Sequence, residues 1–491
     1  MFCSVNALVS PVASRADFDY HVEKGASESN ERRRWIERGM DRLSAALDRQ
    51  RLKSRLAELA ARLSEPANRS HLIWMLVIFV VALTLRSLWV AYAPAEPFDG
   101  RRLDDTQFYY GSAVTLARGQ GYVSPWTGVA TAQWPPGFSL LLAGLFKVFG
   151  VHVSVAWGTT IVLSALTCAA LYVAGNLIGG KKLGIGAGLL LAFFPGHIFF
   201  SSLVLSETLF TFLVVVIMAL VLLAARKSDA GPVRIILIGV MVGAAALVRG
   251  QGLFLIVVAG LFWWLYTRDW ERALQWATAV GLIAVLVIIP WSVRNYFAMK
   301  NFVFLSTNDG GNLYMGNWQG ASGGFQFDAG QWIVEQFDDR PPNEQEAASS
   351  NAMMREGLRF MLTHPGKEIQ LVGSKTRYLY ENDTEALVWI EATEINKTVD
   401  HRRTWEGIAN GYYFSALALA GVGLVPWWRQ RRGALILPLI LIGIFTLGQL
   451  LFFAIPRFHF PMLPSFCLLA AVGLVVGAEY LQSRFRLSRV V

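Results

Sequence analysis

Long apolar runs broken by short polar stretches dominate the chain, at about 72–93, 135–150, 152–178, 184–203, 205–225, 233–250, 252–267, 272–293, 409–428, 433–454 and 458–481. Most approach the roughly 20 residues that a helix needs to cross a bilayer, so they predict transmembrane helices. The run 135–150 is too short; opened by Pro135 and Pro136, it reads as a helix lying at the membrane interface. Ahead of the first run, Ile36, Met40, Leu43 and Leu47, then Leu52, Leu56, Leu59 and Leu63, recur at three- and four-residue spacing among arginines. That pattern predicts a basic amphipathic arm on the membrane surface. No compact apolar segment with a small-residue cleavage site precedes it, so no removed signal peptide is predicted.

Basic residues fix the topology, because they concentrate in cytoplasmic connections. The clusters are Arg32/Arg33/Arg34, Lys181/Lys182, Arg226/Lys227/Arg234, Arg268/Arg272, Arg429/Arg431/Arg432 and Arg484/Arg486/Arg489. With 135–150 at the interface all six fall on one side; with it spanning, most would not. The prediction is an all-α polytopic membrane protein of about ten transmembrane helices, with both termini cytoplasmic and juxtamembrane helices at the outer face. It divides into the arm 1–70, a membrane module 71–293 containing a first outer loop 94–134 and the interfacial helix 135–150, a large outer loop 294–408, and C-terminal helices 409–491. Between Lys300 and Ile408 there are 16 acidic against 10 basic residues, a net −6 opposite in sign to the cytoplasmic segments. The Gly-, Asn- and Ser-rich start of that loop reads as irregular, and Asn351–Tyr380 reads as helix broken at His364-Pro365-Gly366.

Composition sharpens the class. At 54% hydrophobic and 16% charged residues the 491-residue chain is too apolar for a soluble globule and too poor in charge for a disordered one. The net charge of +9 then belongs to lipid-facing loops, making the bilayer the partner and excluding nucleic acid. Cys3, Cys168 and Cys467 share no metal-ligand spacing and predict neither a zinc site nor a disulfide framework.

Candidate chemistry gathers at the outer face. In RRLDDTQFYYGSAVTLARGQGY, a helix from about Asp104 to Arg118 would end at Gly119 or Gly121. Asp104, three residues before Gln107, reads as the N-cap. Asp105 is then either an ordinary first-turn acid favoured by the helix dipole or a catalytic base. The same loop carries Tyr109, Tyr110, Tyr122 and Trp134, membrane anchors or flat walls for a sugar ring. Glu207 is an acid embedded in apolar sequence at a matching depth, with capping by Ser206 as its ordinary explanation. Arg249, Arg294, Arg457 and His459 lie where the positive-inside rule disfavours cations, and an anionic phosphate held there would account for them. For Arg86 snorkelling to headgroups is the simpler account.

The ordered motifs DTQFYYGSAVTLARGQGYV, WPPGFSLLLAGLFKVFG, FFPGHIFFSSLVLSETLF, RNYFAMKNFVFLSTNDGGNLYMGN and RFHFPMLP resemble those of bacterial GT-C glycosyltransferases, the superfamily of protein O-mannosyltransferases and lipid A aminoarabinose transferases. The resemblance covers about residues 70–481 and leaves out the basic arm. It implies a polyprenyl-phosphate-linked sugar donor and a glycan, lipid or protein hydroxyl acceptor on the periplasmic side of the bacterial inner membrane. The family's base, an aspartate four residues before a tyrosine, falls on Asp105 with Tyr109; Asp104 pairs with Phe108. The second acid falls on Glu207, where several relatives have aspartate. A lysine that some relatives place near the donor phosphate is absent, Gln133-Trp134 standing before Pro135, so phosphate contacts pass to residues such as Arg249 or Arg457. Two separated acids are too few to define a metal site, and a divalent cation bridging phosphate and Glu207 stays open. A transporter of a lipid-linked saccharide and a polysaccharide polymerase or ligase are the rival readings.

Overall fold

The computed structural model describes residues 66–97, 104–226, 230–391, 401–430 and 433–487, so the arm expected over 31–63 lies outside the described residues. The described body is helical: α1 (Pro66–Tyr92), α2 (Asp105–Ala117), α3 (Gly137–Phe149), α4 (Val153–Gly179), α5 (Lys181–Ala192), α6 (Pro195–Phe199), α7 (Ser206–Ala225), α8 (Pro232–Val248), α9 (Phe254–Thr267) and α10 (Trp270–Met299). A long connection then carries α11 (Asn308–Gly316), α12 (Gln331–Glu335), α13 (Pro342–Thr363), α14 (Pro365–Tyr380) and α15 (Glu385–Glu391), before α16 (Arg402–Gln430), α17 (Ile436–Leu450) and α18 (Leu463–Leu487).

Among the described residues, eight helices are long and apolar enough to cross a membrane, and α5 with α6, bent by 60°, make a ninth if taken as one span. This is an integral membrane protein with multiple spans. The remaining predicted run is α8, whose 17 residues sit at the lower limit for crossing. The short run 135–150 forms α3, 13 residues long, and the break at His364-Pro365 separates α13 from α14. Close approach shapes the packing: a Cβ on Gly184 would lie 2.6 Å from the Tyr172 carbonyl oxygen, so glycine there lets α5 meet α4 backbone to backbone.

The bend between α5 and α6 has a chemical cause. Phe194, before Pro195, is extended at φ −71° and ψ 112°, as a residue preceding proline prefers, and the helix ladder stops. Arg86 donates to the carbonyls beside the break. Its Nη1 donates to Ala192 O at 2.9 Å and its Nη2 to Leu191 O at 3.2 Å and His197 Nδ1 at 2.9 Å, while Nε donates to Ser164 Oγ at 2.5 Å. Arg86 is 0% exposed. The expectation that it snorkels to headgroups is therefore overturned: the broken helix offers a cage of acceptors that outcompetes the interface.

The two long polar connections meet at one end of the bundle. Thr307 N donates to Ala132 O at 2.9 Å, and the half-buried Glu346 carboxylate accepts from Thr307 Oγ1 at 2.6 Å, Thr131 Oγ1 at 2.7 Å and Ala132 N at 2.9 Å. Fully buried Lys375 of α14 donates to Asn317 Oδ1 at 2.7 Å and Leu450 O at 2.9 Å, tying the long connection to the end of α17.

Arg86→Ala removes the donor that satisfies the broken ends of α5 and is expected to destabilise the protein by about 3 kcal/mol or more. Thermal unfolding in detergent checks this, with Arg86→Lys expected to recover only part of the loss.

Candidate functional site

Four charged side chains from four separate segments form one alternating chain. Arg457 Nη2 lies 2.5 Å from Asp105 Oδ2, Arg457 Nε lies 2.6 Å from Glu207 Oε1, and Arg249 Nη1 lies 2.8 Å from the same Glu207 oxygen. The Arg457–Glu207 contact is an ion pair without aligned hydrogen-bond geometry. Exposure grades along the chain: the side chains of Glu207 and Arg457 are 1% and 8% exposed, those of Arg249 and Asp105 14% and 18%. Two positive and two negative charges leave the cluster neutral, the condition under which such a group tolerates burial.

Local sequence explains each placement. Asp104 caps α2, its Oδ1 accepting from Gln107 N at 3.0 Å and Thr106 Oγ1 at 2.6 Å, so Asp105 begins the first turn with its carboxylate free to reach Arg457. Burial raises the pKa of Asp104 against the opposing effect of those hydrogen bonds. Beyond α2, Gly119 and Gly121 take positive φ, as the helix end requires. Glu207 sits in the first turn of α7, where the helix dipole favours an anion. The cap position there is Leu205, without a side-chain bond, and Ser206 Oγ instead accepts from Arg249 Nη1 at 3.1 Å; the expected capping by Ser206 does not occur. Arg249 stands at the extended end of α8. The chain folds back immediately because Gly252 has no Cβ to strike Ala246 N, 2.3 Å away. Arg457 lies in the tight turn Pro456–Met462 leading into α18, and its guanidinium stacks over the Trp389 ring at 4.8 Å.

The other sequence candidates are distributed differently. Tyr109 is buried beside Ser206, Glu207, Arg249 and Asp105, and burial pushes its phenol well above the usual range. Tyr110 packs against Phe146, and the Tyr122 hydroxyl donates to Trp134 O at 2.9 Å while Trp134 packs on Phe108. These three belong to the packing of the first polar loop. Arg294 donates to the carbonyl oxygens of Thr131 and Tyr122 at 2.6 Å each, holding that loop from behind. His459, two residues from Arg457, turns to Asp383 Oδ1 at 3.1 Å and Leu379 O at 2.8 Å. The structure thus brings Asp105, Glu207, Arg249, Arg457 and Tyr109 together and places Asp104, Arg294 and His459 in supporting contacts. Trp389 and Asp383 escape sequence reasoning, since both lie in the polar connection and only the fold returns them to the bundle. Among the described residues no group of three or more His, Cys, Asp or Glu side chains is arranged to hold a metal ion.

Comparison with known proteins bears out the resemblance read from the sequence. Residues 133–293 match the family described as dolichyl-phosphate-mannose-protein mannosyltransferase. No curated protein sequence matches the chain. Among solved structures, the archaeal oligosaccharyltransferase AglB from Archaeoglobus fulgidus, in complex with an inhibitory peptide and a dolichol-phosphate, superposes with a TM-score of 0.53 at 16% identity, over 87% of this chain and 52% of that one. ArnT from Cupriavidus metallidurans, bound to undecaprenyl phosphate, gives a TM-score of 0.38 at 15% identity, over 82% of this chain and 77% of its own. The chain spans about half the length of the oligosaccharyltransferase, and at this identity the likeness speaks to the fold, which is GT-C-like.

Glu207→Ala would leave Arg457 and Arg249 facing each other in a buried space, at an expected cost of about 3–5 kcal/mol, measurable as a lower unfolding temperature in detergent. A second prediction concerns Asp309, whose carboxyl burial pushes up to about 6. Because its folded pKa is raised, its contribution to stability is present at low pH and lost as pH rises from 3.8 through about 6. Asp309→Asn should flatten the stability–pH curve across that window.

Proposed function

From a membrane core that matches the protein mannosyltransferase family on a GT-C-like fold, we propose that this chain is an integral membrane glycosyltransferase. It takes a sugar from a polyprenyl-phosphate donor and transfers it to a hydroxyl acceptor with inversion, Asp105 acting as general base. The observation that carries this reading is Arg457 held between Asp105 and Glu207. A carboxylate that must accept a proton and a cation that can meet a phosphate are thereby joined in one contact.

The chemistry follows from that contact. Without donor, Arg457 is neutralised by the two acids. An arriving phosphodiester would compete for the guanidiniums of Arg457 and Arg249, which pair well with phosphate oxygens. Loss of its partner makes Asp105 a better proton acceptor at the moment the donor is in place. The acceptor oxygen then attacks the anomeric carbon from the face opposite the phosphate while its proton passes to Asp105. The bond from that carbon to the phosphate oxygen breaks, and polyprenyl phosphate leaves with the electron pair as a monoester. The charge gained by the leaving group is met by preorganised cations. Tyr109 forms the buried wall behind the acids, and Arg294 and His459 act by holding the loops that carry the site.

The basic clusters support an orientation in which the site end faces outside, toward the periplasm of a bacterial inner membrane, with both termini cytoplasmic. A transporter would need ionisable groups along a path through the bundle. Here Asp105, Glu207, Arg249 and Arg457 all sit at helix ends or in the turn before a helix, and mid-helix Arg86 is consumed by backbone carbonyls.

Asp105→Asn is expected to abolish transfer from a radiolabelled polyprenyl-phosphate sugar, by a factor of about 100 or more, with donor binding and folding retained. Arg457→Ala is expected to weaken donor affinity. Undiminished transfer by Asp105→Asn in a folded protein would remove the proposed base.

A further inference from the structure

Arg457 is held on two different sides, and only one of them is open to a competing anion. Among the described residues, the one hydrogen bond of its guanidinium runs from Nη2 to Asp105 Oδ2 at 2.5 Å, while Nε faces Glu207 without aligned geometry. Both contacts use the N–H edge. The flat face of the same group lies over the Trp389 ring, 4.8 Å from its centroid. A phosphate recognises a guanidinium through the N–H edge, as a carboxylate does, so an arriving phosphodiester competes with Asp105 and leaves the ring contact intact. Arg249 has only a distant counterpart, with the Phe458 ring 6.0 Å away at the limit of such an interaction.

The Trp389 ring is itself fixed. It belongs to α15, whose Ala386, Leu387 and Ile390 are buried in the core. Just before α15, Asp383 Oδ1 meets Nε2 of His459, two residues along the chain from Arg457, at 3.1 Å. At the far end of α15, Glu391 Oε2 accepts from Arg402 Nη1 of α16 at 2.7 Å. The Trp389 indole N–H donates to Glu385 Oε1 at 3.1 Å, one helical turn earlier, which sets the rotation of the ring. Trp389 is half-buried and Arg457 is buried, and a cation out of water gains more from a ring face than an exposed one does.

We propose that Trp389 is a positioning residue for the transfer: its ring holds the Arg457 guanidinium in place while the donor phosphate replaces Asp105 at the N–H edge. The inference rests on the reading of Arg457 as a phosphate ligand. Without the ring, the guanidinium released by Asp105 regains side-chain freedom that phosphate binding must remove again, so the defect falls on donor affinity. The long polar connection thereby takes part in donor binding, through α15.

The test is a double-mutant cycle on equilibrium binding of polyprenyl phosphate, which carries the phosphate and no sugar, to the purified full chain in detergent. Trp389→Leu, which keeps an apolar side chain and removes the ring face, should weaken binding by about five-fold or more, as expected of a largely desolvated cation–π contact. Trp389→Phe, which keeps a ring, should recover part of the loss. In an Arg457→Ala background Trp389→Leu should leave the remaining affinity unchanged, because the ring acts only through the guanidinium. Unfolding temperature establishes that each variant is folded; should Trp389→Leu not fold, Trp389→Phe carries the test, with a smaller loss that vanishes without Arg457. Wild-type affinity in the folded Trp389 variant, or a loss of the same size with and without Arg457, overturns the proposal. Wild-type affinity in Arg457→Ala removes the phosphate reading of Arg457 itself, and this inference with it.

Discussion

One guanidinium shared by two carboxylates organises the site end of this protein. Arg457 is nearly buried, and a buried arginine persists only where its charge is met. Asp105 and Glu207 meet it, and Arg249 restores neutrality from the other side of Glu207. Because these residues come from the start of α2, the start of α7, the end of α8 and the turn before α18, the electrostatic requirement is also a geometric one. Helices far apart in sequence must end at the same depth and point their termini at a common place.

The rest of the fold supplies that coincidence of depth with polar braces. Arg86 satisfies the broken end of α5 and so fixes the bend that sets the approach to α7. Glu346 and Arg294 grip the first polar loop from two sides, the one through Thr131, Ala132 and Thr307, the other through the carbonyls of Thr131 and Tyr122. Asp383 and His459 join the long connection to the turn bearing Arg457, and Lys375 joins it to the end of α17. Each of these groups is joined by hydrogen bonds to a remote segment, and each costs most when its partner is removed. Such bracing of the helix ends suits the proposed reaction, which needs two charged groups held ready for a substrate rather than assembled by it.

Sequence patterning revealed features whose cause is local. Asp104 as cap and Asp105 as first-turn residue follow from the spacing to Gln107, and α3 follows from a proline pair before an apolar run too short to cross. The separation of α13 from α14 follows from Pro365. The basic clusters indicated which polar loops share a side, and Thr131, Thr307 and Glu346 do meet. Where sequence reasoning failed, the partner was remote. Arg86 in an apolar helix looks like a snorkelling residue until the carbonyls of Leu191 and Ala192 are placed beside it. His459 and Arg294 look like phosphate ligands by their depth, yet a carboxylate in one case and two carbonyl oxygens in the other lie nearer.

What the chain determined unaided is its solvent and its segmentation: apolar length and charge bias specify spans, their breaks and the loops between them, because transfer to lipid depends on composition and backbone satisfaction within each segment. Which charges neutralise which was decided only by the tertiary structure. Asp105 and Arg457 are 352 residues apart, and pairing at 2.5 Å depends on the directions in which separate helices end, a quantity set by packing and invisible to any local pattern.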